Sequence, residues 1–285
     1  MADIKELRSI ELSSFTTMNA GISVIFAIIA AIVSAIAITL LIPEGAGFAV
    51  YLIPTIIVAS FIISIYTSFS SGLFYNLLAP KLKTIAVIID KDEIKKISTT
   101  ETAMMVSIIL TIHAILFYLV SVITLPLLLS SVMQTLMYSG QQMIAYSLYQ
   151  LLTVISQPIT IALFIFGTFI ISFVFVLLGT YIYNILGKKD RGIILKLDKE
   201  NNLTSIESID ALKLAIVCAI ISGILNIILA IINIISGGAA TTAISNIISG
   251  FVGGFIEFYL FAKFYNFLAP KLGKVKLELI DFKIN

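Results

Sequence analysis

The residue whose type and position could do chemistry is Glu257, the only acidic residue deep inside a long apolar stretch of the sequence. Leaving a carboxylate charged and unpaired inside a membrane is costly, so Glu257 is a candidate ion or proton site. Asn226 and Asn233, in the preceding apolar stretch, could line a polar path with it. The alternative is a protonated or hydrogen-bonded Glu257 that only fixes helix packing. Asn246, Gly250, Gly253 and Glu257 follow helical spacing, so we expect Glu257 on a face that meets another helix.

The sequence contains no constellation of residues that would carry catalysis. His113 and Cys218 each occur once, and a lone histidine is a poor metal site because metals need several convergent ligands. Neither a Gly-rich phosphate loop nor a carboxylate pair at helical spacing occurs within the apolar stretches. We therefore expect no enzyme, no metal and no cofactor. A net charge of +2 also gives no indication of a nucleic-acid partner.

Composition indicates a polytopic membrane protein, because 59% of the residues are hydrophobic and only 12% are charged. Six apolar stretches are long enough to cross a hydrocarbon core, which takes about 20 helical residues. They lie near Ile22–Ile42, Phe48–Tyr75, Met104–Leu129, Leu151–Tyr183, Leu214–Ile235 and Ala243–Leu268. The fold class predicted is mainly α, with the lipid bilayer as the first partner.

The charges predict the orientation of these spans. All 18 Lys and Arg residues fall on one side of a six-span arrangement, and Glu44 is the only charge in the opposite loops. Because positive residues favour the cytoplasmic side, we expect both termini in the cytoplasm.

Three segments repeat one pattern: aromatic residues and an Asn, a turn carrying Lys, and a short run ending in Asp. They are Phe74–Asp90, Tyr181–Asp198 and Phe264–Asp281. Such self-similarity is typical of repeat architectures. It predicts three tandem helical hairpins with approximate threefold symmetry, in units 1–90, 91–199 and 200–285. The middle unit carries an extracytoplasmic insertion near 128–150.

The second helix of each unit contains two small residues four positions apart. These helix-packing candidates are Ser60 and Ser64, Thr168 and Ser172, and Gly250 and Gly254. Such a pair lets two helix backbones approach closely in a membrane, so a repeated helix contact is predicted.

Short runs beside the membrane are predicted to form cytoplasmic antiparallel β-strands. Alternation favours strands at 84–90, 192–198 and 274–280, each paired with a run that precedes a helix. Pairing of Ile4–Ile10 with Lys274–Ile280 would close the strands into one ring. The alternative for the leading runs is a helical turn.

One combination of motifs is clearest in Ile206–Ile280. It consists of a leading I-x-x-I, a helical hairpin and a closing Y-N-x-L … G-x-I/V-x-L-x-L. It resembles an uncharacterised family of small prokaryotic membrane proteins with one or two such units per chain. The usual Gly pair before the closing strand is reduced to Gly273 here and replaced by Lys83-Thr84 in the first unit. The resemblance implies the fold and a prokaryotic plasma membrane, and it implies no activity.

Two hypotheses of function follow. The first is a non-catalytic scaffold or accessory subunit of a membrane complex, whose partners include other membrane proteins. The second is a small transporter or channel with a polar path through Glu257, Asn226 and Asn233. The sequence does not indicate an oligomeric state.

The topology can be tested with single cysteines after Cys218 is replaced by Ser. We expect Glu44→Cys to react with an impermeant thiol reagent applied outside the cell, and Lys274→Cys to react only after the membrane is opened. Reversed accessibility of the two positions would contradict the orientation.

Overall fold

A computed structural model of the chain describes residues 3–41, 46–200 and 202–281. Six of the described helices are long and apolar enough to cross a membrane, which confirms the multi-pass class. The helices are α1 Leu12–Leu41, α2 Ala46–Leu78, α3 Thr99–Tyr138, α4 Gln142–Ile155, α5 Pro158–Gly187, α6 Ala211–Ile235, α7 Ala240–Ile248 and α8 Gly254–Leu272. A π-helical turn, Ser249–Gly253, joins α7 to α8. The predicted span end at Ile42 and the loop residue Glu44 lie outside the described residues.

The region predicted as an insertion is helical throughout most of its length. Its first part continues α3 as far as Tyr138, and its second part forms most of α4. Gly140 separates the two helices with a φ of 79°, a conformation that glycine adopts without steric cost. The fourth predicted span began at Leu151, but that residue belongs to α4, and the span proper begins at Pro158. Proline suits the first position of a helix, because its missing N–H would have no partner there.

The predicted short antiparallel strands are present, and they close into a six-stranded barrel. They are β1 Asp3–Ile10, β2 Ile85–Asp90, β3 Glu93–Ile97, β4 Ile193–Glu200, β5 Leu203–Ile209 and β6 Lys276–Asp281. Neighbours around the barrel are antiparallel and follow chain order. The predicted closure of β1 on β6 is confirmed, with Leu7 opposite Leu279. A closed barrel leaves no strand edge open to pair with another chain.

The barrel is filled with apolar side chains that continue into the helices. Register places Leu7 opposite both Ile85 and Leu279, so these three residues share the inner face. One cluster of buried residues joins the barrel to α1, α6 and α8. Its members include Ile209, Val275, Met18, Ile22, Leu214, Tyr265 and Leu268. This shared core holds the barrel against the ends of those helices.

The chain divides into two compact units. The first comprises residues 1–102 and 178–285, and the second comprises residues 103–177. In the first unit α1 packs against α2 and α8, and α6 packs against α7 and α8. The rings of Phe26 and Phe264 meet edge to face with their centroids 5.1 Å apart. The second unit consists of most of α3, all of α4 and the first part of α5, where the Tyr118 hydroxyl lies 3.4 Å from the Ile155 carbonyl oxygen.

Each helical hairpin is attached to the barrel by an asparagine. The side-chain Oδ1 accepts a hydrogen bond from one backbone N–H at the end of a strand, and Nδ2 donates to the carbonyl oxygen of the same residue. The pairs are Asn76 with Ile10, Asn184 with Ile97 and Asn266 with Ile209, and all six distances are 2.8 Å. The amide group thus acts as one more strand partner at the point where the strand becomes a helix.

A tyrosine next to each asparagine in the sequence forms a hydrogen bond to the same strand. Its hydroxyl donates to a strand carbonyl oxygen at 2.5 to 2.6 Å. The pairs are Tyr75 with Leu7, Tyr183 with Ile94 and Tyr265 with Ile206. The Tyr183 and Tyr265 hydroxyls also accept from the backbone N–H groups of Ile193 and Val275, at 3.2 Å. Each of these two hydroxyls therefore joins two neighbouring parts of the barrel, and we call the Tyr and Asn together the Tyr–Asn joint.

The joint predicts a large effect of Asn266→Ala on stability. The change leaves the N–H and carbonyl of Ile209 without their partner, which costs about 2–4 kcal/mol for two buried groups. Asn19→Ala is the matched control, because the Asn19 amide bonds only to the Phe15 carbonyl oxygen of its own helix. Thermal unfolding in detergent should show a clearly lower midpoint for Asn266→Ala alone. Equal midpoints for the two variants would mean that the joint does not hold the barrel.

Candidate functional site

Glu257 lies in the first turn of α8 with its side chain exposed on the surface of the chain. Among the described residues, no side chain or backbone group forms a hydrogen bond or ion pair with its carboxylate. Glu257 precedes Tyr265 of the Tyr–Asn joint by eight residues, so about 12 Å of helix separates the two residues. The structure therefore places an unpartnered carboxylate on the outside of an apolar span.

Asn226 and Asn233 lie elsewhere along the helix pair. The Asn226 amide donates to the Ser222 carbonyl oxygen at 2.9 Å, within α6. Asn233 is near the end of α6 and packs over Gly238. Seven residues along α6 separate the two amides by about 10 Å. Asn226 lies against Gly250, and Glu257 follows Gly250 by seven residues, again about 10 Å of helix. The three residues of the predicted polar path are thus spread out and do not form one cluster.

The π-helical turn lies between the residues of the α6 contact and the exposed Glu257. Ser222 Oγ donates to the Gly250 carbonyl oxygen at 2.6 Å, and a Cβ atom added to Gly254 would lie 2.2 Å from the same Oγ. A Cβ atom on Gly253 would meet no described atom within 4 Å. Gly250 and Gly254 both contact α6. A π turn adds a residue to the helical repeat, so the residues after it are rotated relative to those before it. Gly253 and Glu257, one turn apart, are exposed.

The other predicted packing pairs have more open surroundings. Ser60 and Ser64 line a cavity of about 420 Å³ between α1 and α2. Thr168 and Ser172 line a groove of about 390 Å³ whose lining residues all belong to α5. The hydroxyls of Ser64, Thr168 and Ser172 bond to carbonyl oxygens of their own helices at 2.6 to 2.9 Å. His113 does the same, with Nδ1 2.8 Å from the Ile109 carbonyl oxygen.

Sequence reasoning missed a cavity of about 290 Å³ in the barrel, which we call the barrel mouth. It lies at the end of the barrel away from the helices, because it contains the start of β1, the turn after β2 and the region around the β4–β5 turn. The lining residues are Asp3, Lys5, Ile89, Lys91, Asp92, Leu197, Lys199, Thr204 and Leu279. The charged turn after Asp90 was a signal in the sequence, but only the strand register brings it to Asp3 and Lys199.

The rim of the barrel mouth carries charges of both signs. Lys5 pairs with Asp281, and this hydrogen bond and the positive charge of Lys5 hold the pKa of Asp281 below its ordinary value. Lys91, Lys199, Asp3 and Asp92 form no ion pair within the described ranges.

The inner wall of the barrel mouth is apolar apart from one hydroxyl. Ile89, Leu197 and Leu279 contribute aliphatic side chains. Thr204 is 8% exposed and contributes a hydroxyl to the lining. Because a hydroxyl both donates and accepts, Thr204 can form a hydrogen bond to a molecule in the cavity.

Comparisons with protein-family models, curated proteins and solved structures found no match for this chain. The resemblance to the uncharacterised family stays a prediction.

Two adjacent glycines allow a controlled test of the contact between α6 and α8. Gly254→Ala puts a methyl group on the Ser222 hydroxyl and displaces its bond to Gly250, so we expect a loss of about 1 kcal/mol or more. Gly253→Ala adds the same methyl group in open space and gains helix propensity, which favours equal or higher stability. Thermal unfolding of both variants in one detergent checks this difference, and the reverse order of midpoints would contradict the packing.

Proposed function

We propose that the protein is a non-catalytic scaffold or accessory subunit of a membrane complex, built from three tandem strand–helix–helix–strand units. Support for the repeat comes from the Tyr–Asn joint, which occurs once in each of the units 1–90, 91–199 and 200–285. Positive residues in the loops next to the barrel favour a cytoplasmic location for the barrel and both termini. The membrane is the prokaryotic plasma membrane by the resemblance of the repeat.

The observation that carries the proposal is the exposed carboxylate of Glu257. In a bilayer such a group must be neutral or find a partner, because its hydration is lost. The described part of the chain supplies none, so the partner is a transmembrane helix of another protein. That helix carries a basic or hydrogen-bond-donating side chain at the depth of Glu257. Gly253, one turn away and open, allows the backbone of such a helix to come close.

A transporter or channel has less support from the geometry. Glu257, Asn226 and Asn233 do not line the barrel mouth, the cavity between α1 and α2 or the groove on α5. A path for ions needs polar groups in sequence along a cavity, and these three are separated by two helical turns or more.

Position-specific crosslinking in native membranes tests the partner surface. A photoreactive amino acid at position 257 or 253 should crosslink to one membrane protein. Ile231 on α6 is 52% exposed and serves as the control position. The photoreactive amino acid placed there should react with lipid only. We expect the crosslink from position 253 to be weakened by Glu257→Gln and lost with Glu257→Leu. Both variants should keep their thermal stability, because the exposed carboxylate forms no hydrogen bond or ion pair with the described residues.

Two results would contradict this function. One is crosslinking to lipid alone from positions 257 and 253, as expected from position 231. The other is loss of proton- or cation-coupled flux in vesicles for Glu257→Gln with an unchanged crosslink, which would support the transporter instead.

A further inference from the structure

We propose that the barrel mouth is a binding site for a small zwitterion with an aliphatic side, the chemistry of a free branched amino acid. This site is independent of the surface around Glu257. It lies on the barrel and uses residues from five strands and the turn after β2.

The size of the cavity limits the ligand. Its volume of about 290 Å³ is at the lower end of small-molecule sites, which span about 300–1,000 Å³. Its lining comes from five of the six strands and the turn after β2, and it is open at the end of the barrel. A small metabolite therefore fits the cavity better than a nucleotide or a peptide.

The charges at the rim select a ligand that carries both a positive and a negative charge. Lys5, Lys91 and Lys199 are balanced by Asp3, Asp92 and Asp281, so the rim has no excess charge. A purely anionic ligand would face Asp3 and Asp92, and a purely cationic one would face Lys91 and Lys199. A carboxylate beside the lysines and an ammonium group beside the aspartates satisfies all four unpaired groups.

The geometry of the β2–β3 turn fixes two of these charges. Lys91 and Asp92 have φ values of 47° and 67°, and they form a two-residue hairpin turn between Asp90 and Glu93. The short turn holds a cation and an anion next to each other at the rim. Asp3 comes from β1, the neighbour of β2, and Lys199 comes from β4, the neighbour of β3.

The apolar wall of the cavity selects the third feature of the ligand, an aliphatic side chain. Ile89, Leu197 and Leu279 offer an apolar surface to an aliphatic side chain, which gains from leaving water. Thr204 contributes the hydroxyl of this wall, and it completes the site as a hydrogen-bond partner for the ammonium or carboxylate group.

Equilibrium dialysis of the full chain in detergent, with labelled leucine, isoleucine and valine, tests the site. We expect saturable binding of at least one of them. For leucine as the ligand, 4-methylpentanoic acid lacks the ammonium group and 3-methylbutylamine lacks the carboxylate. Each should compete at least about tenfold more weakly, because each leaves one pair of rim charges unmatched.

Variants show whether binding occurs at the barrel mouth. Lys199→Gln and Thr204→Val should each weaken binding by about tenfold, the expected loss for one charged or buried partner. Lys196→Gln is the control, because Lys196 lies on β4 outside the cavity lining, and it should leave binding unchanged. If Thr204→Val lowers the unfolding midpoint, Lys199→Gln decides the test. Absence of saturable binding, equal competition by the two analogues, or binding insensitive to Lys199→Gln would overturn the proposal.

Discussion

The structure depends on the hydrogen bonds between three asparagine amides and the backbone at the ends of three strands. Where a strand turns into a helix, its last N–H and carbonyl leave the ladder and are not yet part of the helix. Asn76, Asn184 and Asn266 fill that gap with one donor and one acceptor each. Because the asparagines belong to the returning helices, each bond also fixes the end of the second helix to the start of the first. The helix ends next to the barrel are therefore held in place by these bonds.

The barrel determines where each hairpin begins, and the side chains along the helices determine how closely its two helices pack. Gly250 and Gly254 let α8 contact Ser222 of α6 directly. At the corresponding place in the first hairpin, Ser60 and Ser64 occupy the wall of a cavity between α1 and α2. A hydroxyl needs more room than a hydrogen atom, and it gains no interhelical bond when it is satisfied by its own helix. Glycine is thus the residue that gives the closest approach.

Much of the fold could be predicted because the signals were local or repeated. Apolar length predicted the spans, alternation after each hairpin predicted the closing strands, and pairing of each closing run with a leading run predicted the ring. The exposed position of Glu257 could not be predicted, since it depends on the π-helical turn at Ser249–Gly253. That turn accompanies the packing of Phe251 against Gly223 in another helix, so it is a tertiary effect. The barrel mouth was equally inaccessible, because its charges come together only through the register of distant strands.

The two candidate sites place unpaired polar groups in different surroundings, and this determines what each can select. In a bilayer the carboxylate of Glu257 has no water to solvate it, so a single complementary group on a neighbouring helix is enough to favour association. At the barrel mouth, Lys91, Lys199, Asp3 and Asp92 are exposed and hydrated, so no single ion pair there is worth much. Selectivity at that site must come from matching several groups at once, including the hydroxyl of Thr204 and the apolar wall. A large, rigid partner suits the first site, and a small ligand with three distinct parts suits the second.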